Sequence, residues 1–153
     1  MTEAAQPAAS FQIEKVYVKD LSLEIPNAPQ VFTEQSQPQI DVQIESAESR
    51  FQQDFYEVTL SVTVTARAGE RILFLAEAVQ AGIFALRNIP ETDLGPLLGI
   101  ACPTVLFPYL RETISDLVTR GGFPPLLLTP ISFEQLYLQR MQGASGDPKP
   151  AAL

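Results

Sequence analysis

The sequence has no histidine at all and a single cysteine, Cys102. Without histidine it lacks the commonest general base and the commonest protein metal ligand. No serine or cysteine triad can form, and one thiol cannot build a structural zinc site. One cysteine also rules out an intrachain disulfide, which fits a reducing compartment and points to the cytoplasm. Cys102 has no imidazole to activate it, so it reads as a small residue at a helix start rather than a nucleophile. Glycine-rich phosphate loops are missing too, because Gly121 and Gly122 follow a helical pattern instead of preceding one. No apolar run approaches the length of a bilayer span, and the first residues show no basic and then apolar signal. Cations are scarce: 10 basic against 18 acidic residues leave a net charge of -8. That balance disfavours nucleic acid and anionic membrane surfaces, and favours a basic protein partner whose encounter depends on salt. Neither a metal nor a cofactor is expected. Of the catalytic classes, only carboxylate chemistry is left.

What is present suffices for one domain. The chain has 153 residues and is 46% hydrophobic despite 13 prolines. The domain is expected over residues 11–142, with disordered tails at 1–10 and 143–153. Four strand patterns come first. In residues 11–25, Phe11, Ile13, Tyr17, Leu21, Leu23 and Ile25 share one parity, while Asp20 and Glu24 share the other with Val16 and Val18. An irregular, proline-bounded connection over 26–38 follows. Ile40, Val42 and Ile44 alternate with Asp41, Gln43 and Glu45. The third strand alternates from Tyr56 to Ala66, and Ala68 with Gly69 suits a hairpin turn into a fourth. That fourth strand is apolar on both parities, although the helices of one chain can cover only one face, so its second face is expected to meet another molecule.

Helices come after the strands. A short one is expected at 91–94 within a connection over 88–98. A long one is expected over 103–120, with Leu106, Leu110, Ile114 and Leu117 on one face. Pro103 suits its first turn, and Gly121, Gly122 and Pro124 stop it. Pro108 is expected to kink or break it. Ser132, with Gln135 three residues on, caps a last helix carrying Phe133, Leu136, Tyr137, Arg140 and Met141. The fold class is therefore α+β: a four-stranded antiparallel sheet, then a long helix and a shorter C-terminal one.

Rarer strings carry more information. Cys102, Pro103, Leu106, Phe107, Pro108, Tyr109, Arg111, Glu112 and Ile114 form one; Arg120, Gly121, Phe123 and Pro124 form the next; Leu128, Pro130 and Phe133 form a third. Upstream stand Phe11 to Ile13, Tyr17 with Lys19 and Asp20, Pro26 to Pro29 followed by Val31 and Phe32, Tyr56 to Thr65, and Gly82 to Phe84. In this order and spacing the chain resembles the SecB protein-export chaperones from about residue 11 to 141.

The resemblance implies an ATP-independent chaperone, not an enzyme, that holds unfolded secretory preproteins and delivers them to the SecA motor ATPase. It implies a homotetramer, a dimer of dimers with sheets outside and long helices between, and no direct membrane insertion. By matched position it assigns Asp20, Glu24, Leu75 and Glu77 to SecA docking; as residues alone, Asp20 and Glu24 read as a solvated strand face. Val31, Phe32, Phe133, Leu136, Tyr137 and Met141 are candidates for client binding. Val31 and Phe32 are expected to be exposed by their loop, whereas Phe133 and Leu136 serve equally well to pin a helix. The tail beyond Met141 carries only Asp147 and Lys149 as charged side chains, which weakens any auxiliary contact there. Two other readings stay open: a chaperone dedicated to a toxin–antitoxin pair, and a small α+β enzyme using carboxylates.

Overall fold

The structure is a computed structural model and describes residues 7–143. Expectations for residues 1–6 and 144–153 lie outside it. Strands β1 (Ser10–Glu24), β2 (Gln39–Gln52), β3 (Phe55–Ala68) and β4 (Arg71–Arg87) form one antiparallel sheet in the order β1-β4-β3-β2. Successive strands pair as hairpins from β2 to β4. β1, however, lies beside β4, because the connection after Glu24 returns across the sheet in the manner of a Greek key. β1 begins at Ser10, and the Ala8 carbonyl accepts a hydrogen bond from Asn88 Nδ2 (3.2 Å), so the end of the expected N-terminal tail is ordered.

One face of the sheet carries the core. Val58, Leu60, Val62, Val64 and Ala66 of β3 are fully buried, and across β4 they face Gly82, Gln80, Ala78, Ala76 and Phe74. Against them pack Leu106, Leu110, Ile114 and Val118 of helix α2 (Cys102–Arg120), a stripe at helical spacing. The expected stripe ended on Leu117, which is only half-buried; Val118 replaces it. Gly82 lets the layers approach, since a Cβ there would lie 3.0 Å from Leu106 and 2.8 Å from the Phe84 ring.

The helical region differs from expectation. Helix α1 (Glu91–Pro96) runs through a π-helical turn (Leu97–Ala101) directly into α2, making one helix of 30 residues. The wide turn, in which Cys102 N–H reaches the Leu97 carbonyl, precedes Pro103, whose ring would otherwise press on the carbonyl of Gly99. The helix does not end at Pro108. The carbonyl that Pro108 deprives of a donor belongs to Thr104, an exposed residue open to water. Joined in this way, Glu91–Arg120 is long and apolar enough by composition to cross a membrane. Here its apolar stripe is spent on the sheet.

Helix α3 (Phe133–Gln142) starts as expected, with Ser132 Oγ accepting from Gln135 N–H at 3.3 Å. It docks because Gly95 and Gly99 clear a seat for the Tyr137 ring; a Cβ at either would lie within 2.7 Å of that ring or its hydroxyl.

β1 contains two single-residue bulges, at Glu14 and Lys19. Each reverses the inward parity. Phe11 and Ile13, then Val16 and Val18, then Leu21 and Leu23 therefore all lie on the helix side, and Tyr17 turns to the opposite face. The expected single parity is thus corrected for the middle of the strand. Gln80, the one buried polar residue among the described residues, secures this region: its Nε2 donates to the Tyr17 carbonyl (3.2 Å) and its Oε1 accepts from Thr113 Oγ1 on α2 (2.9 Å). Replacing Gln80→Leu leaves both partners unpaired, and urea unfolding should show a loss of about 1–3 kcal/mol. An unchanged midpoint would show that the bridge does not hold β1 to the helix.

Candidate functional site

The other face of the sheet is covered by no element of the described chain. Across it the register aligns four strands in rows. Asp41, Thr65, Leu75 and Glu24 form one row, and Gln43, Thr63, Glu77 and Ser22 the next. Glu45, Ser61, Val79 and Asp20 form the third. Glu77 therefore sits diagonally between Asp20 and Glu24, and Leu75 lies directly opposite Glu24. The three carboxylates are exposed and Leu75 is half-buried. The sequence-derived docking residues are thus brought together on one open face. The two bulges cancel between the ends of β1, so Asp20 and Glu24 keep the face that simple alternation assigns them.

Asp41 and Glu45 extend this carboxylate surface to the opposite edge, and the sequence reading missed them as members of it. The alternation of β2 marked both as outward. Nothing in the sequence, however, aligned β2 with β1 across two intervening strands.

Beside the acidic rows lies a polar lock. Tyr17 Oη donates to Glu57 Oε2, and Lys19 Nζ pairs with Glu57 Oε1 at 2.7 Å. These two bonds hold the Glu57 carboxyl below its usual range. Burial, with the Glu57 bond and charge, pushes the Tyr17 phenol up from 10.0 to about 12. A raised value means that the folded state binds the proton more tightly than the unfolded chain. Its stabilising contribution is therefore full below about pH 10 and fades as pH climbs through about 12. For Glu57 the sign is opposite: its contribution holds above the usual carboxylate value and is lost as pH falls through the lowered one. Cys102 is buried, and burial followed by the charge of Glu48 pushes its thiol to about 12, which keeps it protonated.

The client-binding candidates are not gathered into one cluster. Val31 is 3% exposed and belongs to the core, correcting the expectation of an exposed loop residue. Its neighbour Phe32 is 51% exposed and stacks on Phe123 (5.3 Å between centroids), which in turn meets Phe74 (4.7 Å). A short 3-10 turn (Gln30–Thr33) separates the two by directing Val31 inward and Phe32 over Gly122. Phe133 is buried edge-on to Phe107, Leu136 is packed against the core, and Tyr137 lies on its glycine seat. Those three pin α3. Met141 is exposed, as are Leu127 and Leu138, which the sequence reading did not single out. Phe32 and Tyr137 stand near opposite ends of the long helix, about 35 Å apart along its axis.

Four tyrosines and no tryptophan make the Tyr17 environment directly readable. Alkaline titration of tyrosinate absorbance should show a late phase near 12 that Tyr17→Phe removes. Persistence of that late phase in Tyr17→Phe would mean that the Glu57 bond does not hold the phenol.

Comparison with known proteins agrees with this geometry. The family model described as Preprotein translocase subunit SecB matches residues 3–144. The Protein-export protein SecB of Chromobacterium violaceum is 59% identical over 140 residues, covering 92% of this chain and 93% of its own. That of Neisseria meningitidis serogroup C is 52% identical over 143 residues, covering 93% and 96%. Among solved structures, a SecB-like chaperone of Mycobacterium tuberculosis, in complex with a ChAD peptide from an antitoxin, matches with a TM-score of 0.66 at 21% identity. That match covers 80% of this chain and 91% of the other, and at such identity it speaks for the fold alone. The family is one of chaperones and not of enzymes, so the reading as a carboxylate enzyme falls away. This chain belongs to the SecB family of protein-export chaperones.

Proposed function

We propose that this chaperone works in the cytoplasm without nucleotide, keeping unfolded secretory precursors translocation-competent and passing them to SecA. The observation that carries the reading is the acidic outer face, where Glu77 stands between Asp20 and Glu24 with Leu75 beside them. Carboxylates around a partly accessible leucine combine charge for steering with apolar contact for affinity. Clients are assigned to the helix side, along the apolar groups left exposed from Phe32 past Leu127 to Leu138 and Met141. A long, discontinuous track of this kind reads sequence poorly and selects instead for chains that have not yet folded.

Glu77→Lys should weaken SecA binding at least fivefold with the fold intact, and added salt should weaken the wild-type complex in parallel. Phe32→Asp should reduce capture of a slow-folding precursor in an aggregation assay without ATP, while SecA binding persists. If the first change left SecA affinity untouched, docking on this face would be wrong. If a compact native protein were held as well as its unfolded precursor, the holdase reading would fail.

The assembly we infer is a dimer of dimers. β1 is an edge strand, and on its helix side Ile13, Val18 and Leu21 are each nearly half exposed, beyond the reach of α2. Tyr109 is likewise exposed on α2. A second copy would bury these groups. Light scattering at micromolar concentration should give four times the chain mass; a stable monomer would exclude the assembly.

A further inference from the structure

The outer face does not carry one sign of charge throughout. Its acidic rows end at Asp20 and Val79. Beyond them the same face continues through Tyr17 and Ala81, then Lys15 and Ile83, to Ala85 and Arg87. At that far end, the Arg87 guanidinium lies 5.6 Å from the centre of the Phe55 ring, and Phe55 stands 6.2 Å from Phe51. Phe51 is 50% exposed and Arg87 is exposed. Of the nearby carboxylates, Glu57 is already paired with Lys19. Among the described residues, neither Arg87 nor Lys15 is in an ion pair. In a chain with a net charge of -8, an unpaired guanidinium laid on one phenyl ring beside a second, exposed one is a local site of opposite character.

We propose that Arg87, Phe51 and Phe55 form a second anchor on the outer face, which takes the acidic and apolar end of the same partner segment whose basic end docks on Asp20, Glu24 and Glu77. The inference rests on the docking role assigned to those carboxylates. Charge complementarity sets the occupant: an extended segment, basic at one end and acidic at the other, with apolar residues between them over Val79 and Ile83. From Glu77 to Arg87 the strand covers about 33 Å, so about ten extended residues reach from one anchor to the other. Arginine on an aromatic face keeps its donors free for a carboxylate, and the exposed Phe51 ring offers apolar contact beside it. The arrangement would fix the direction in which the segment lies, which an acidic patch alone cannot do.

The test uses the full-length protein and two synthetic peptides of about ten residues. Both carry lysines at one end and leucine and serine in the middle; one ends in glutamates and the other in glutamines. Fluorescence anisotropy should show the glutamate-ended peptide binding about fivefold more tightly. Arg87→Gln should abolish that preference, Phe51→Ser should weaken the glutamate-ended peptide, and Arg87→Lys should retain part of the preference. Glu77→Lys should weaken both peptides. Equal binding of the two peptides to the wild type, with Glu77→Lys still damaging, overturns the second anchor and leaves the acidic docking site standing. Indifference to Glu77→Lys defeats the docking role instead, and the second anchor then stands or falls on the glutamate preference and its loss in Arg87→Gln. Failure of both peptides to bind at millimolar concentration overturns the inference as well.

Discussion

The structure depends on one contact, that between the apolar stripe of α2 and the inward side chains of β3 and β4. Each fully buried valine or leucine there contributes about 1.5–3 kcal/mol by leaving water, and Gly82 lets Leu106 come close enough to exclude a gap. The chain has one long helix to give, so it covers one face of the sheet and no more. The docking surface proposed for SecA follows from the bare face, and the proposed assembly from the edge of β1 that the helix does not reach.

That bare face is kept soluble without being made uniform. Threonine and serine occupy the outward positions of β3, and carboxylates gather at one end. Tyr17, Lys19 and Glu57 interlock in the middle, while a cation lies on an aromatic ring at the far end. Two bulges in an edge strand turn Tyr17 outward and at the same time discourage sheet extension by a stray strand. The same irregularities keep Val16 and Val18 on the helix side. Gln80 then supplies a hydrogen bond to the Tyr17 carbonyl beside the second bulge.

A chaperone of this kind carries out no covalent chemistry, and the buried, protonated Cys102 and the lack of histidine are in keeping with that. Its work is reversible burial of apolar client segments, which needs exposed apolar side chains the fold can tolerate. Phe32 is exposed and rests on the Phe123 ring, which meets Phe74, whereas Phe133, Leu136 and Tyr137 attach α3 to the rest of the fold.

Period-two and period-3.6 patterns in the sequence determined four strands, the long helix and the Ser132 cap, since alternation and capping are local properties of the chain, and the rarer strings around Cys102 and Pro124 carried the family. The patterns also put Asp20 and Glu24 on outward positions, as the two bulges of β1 cancel between its ends, whereas β4, apolar on both parities, left Glu77 to the family resemblance. Tertiary structure alone decided that β1 lies beside β4, which set Glu77 between Asp20 and Glu24 and brought Asp41 and Glu45 into the same surface. It decided the parity within β1, because a bulge is a response to pairing with β4 and to apolar side chains seeking the helix side. It joined α1 to α2 through a π-turn, where proline signals had suggested a break, since the packed stripe outweighs a few lost backbone bonds. Val31 and Phe32, adjacent in sequence, were likewise separated only by the packing of their loop, which turns one into the core and lays the other on the Phe123 ring.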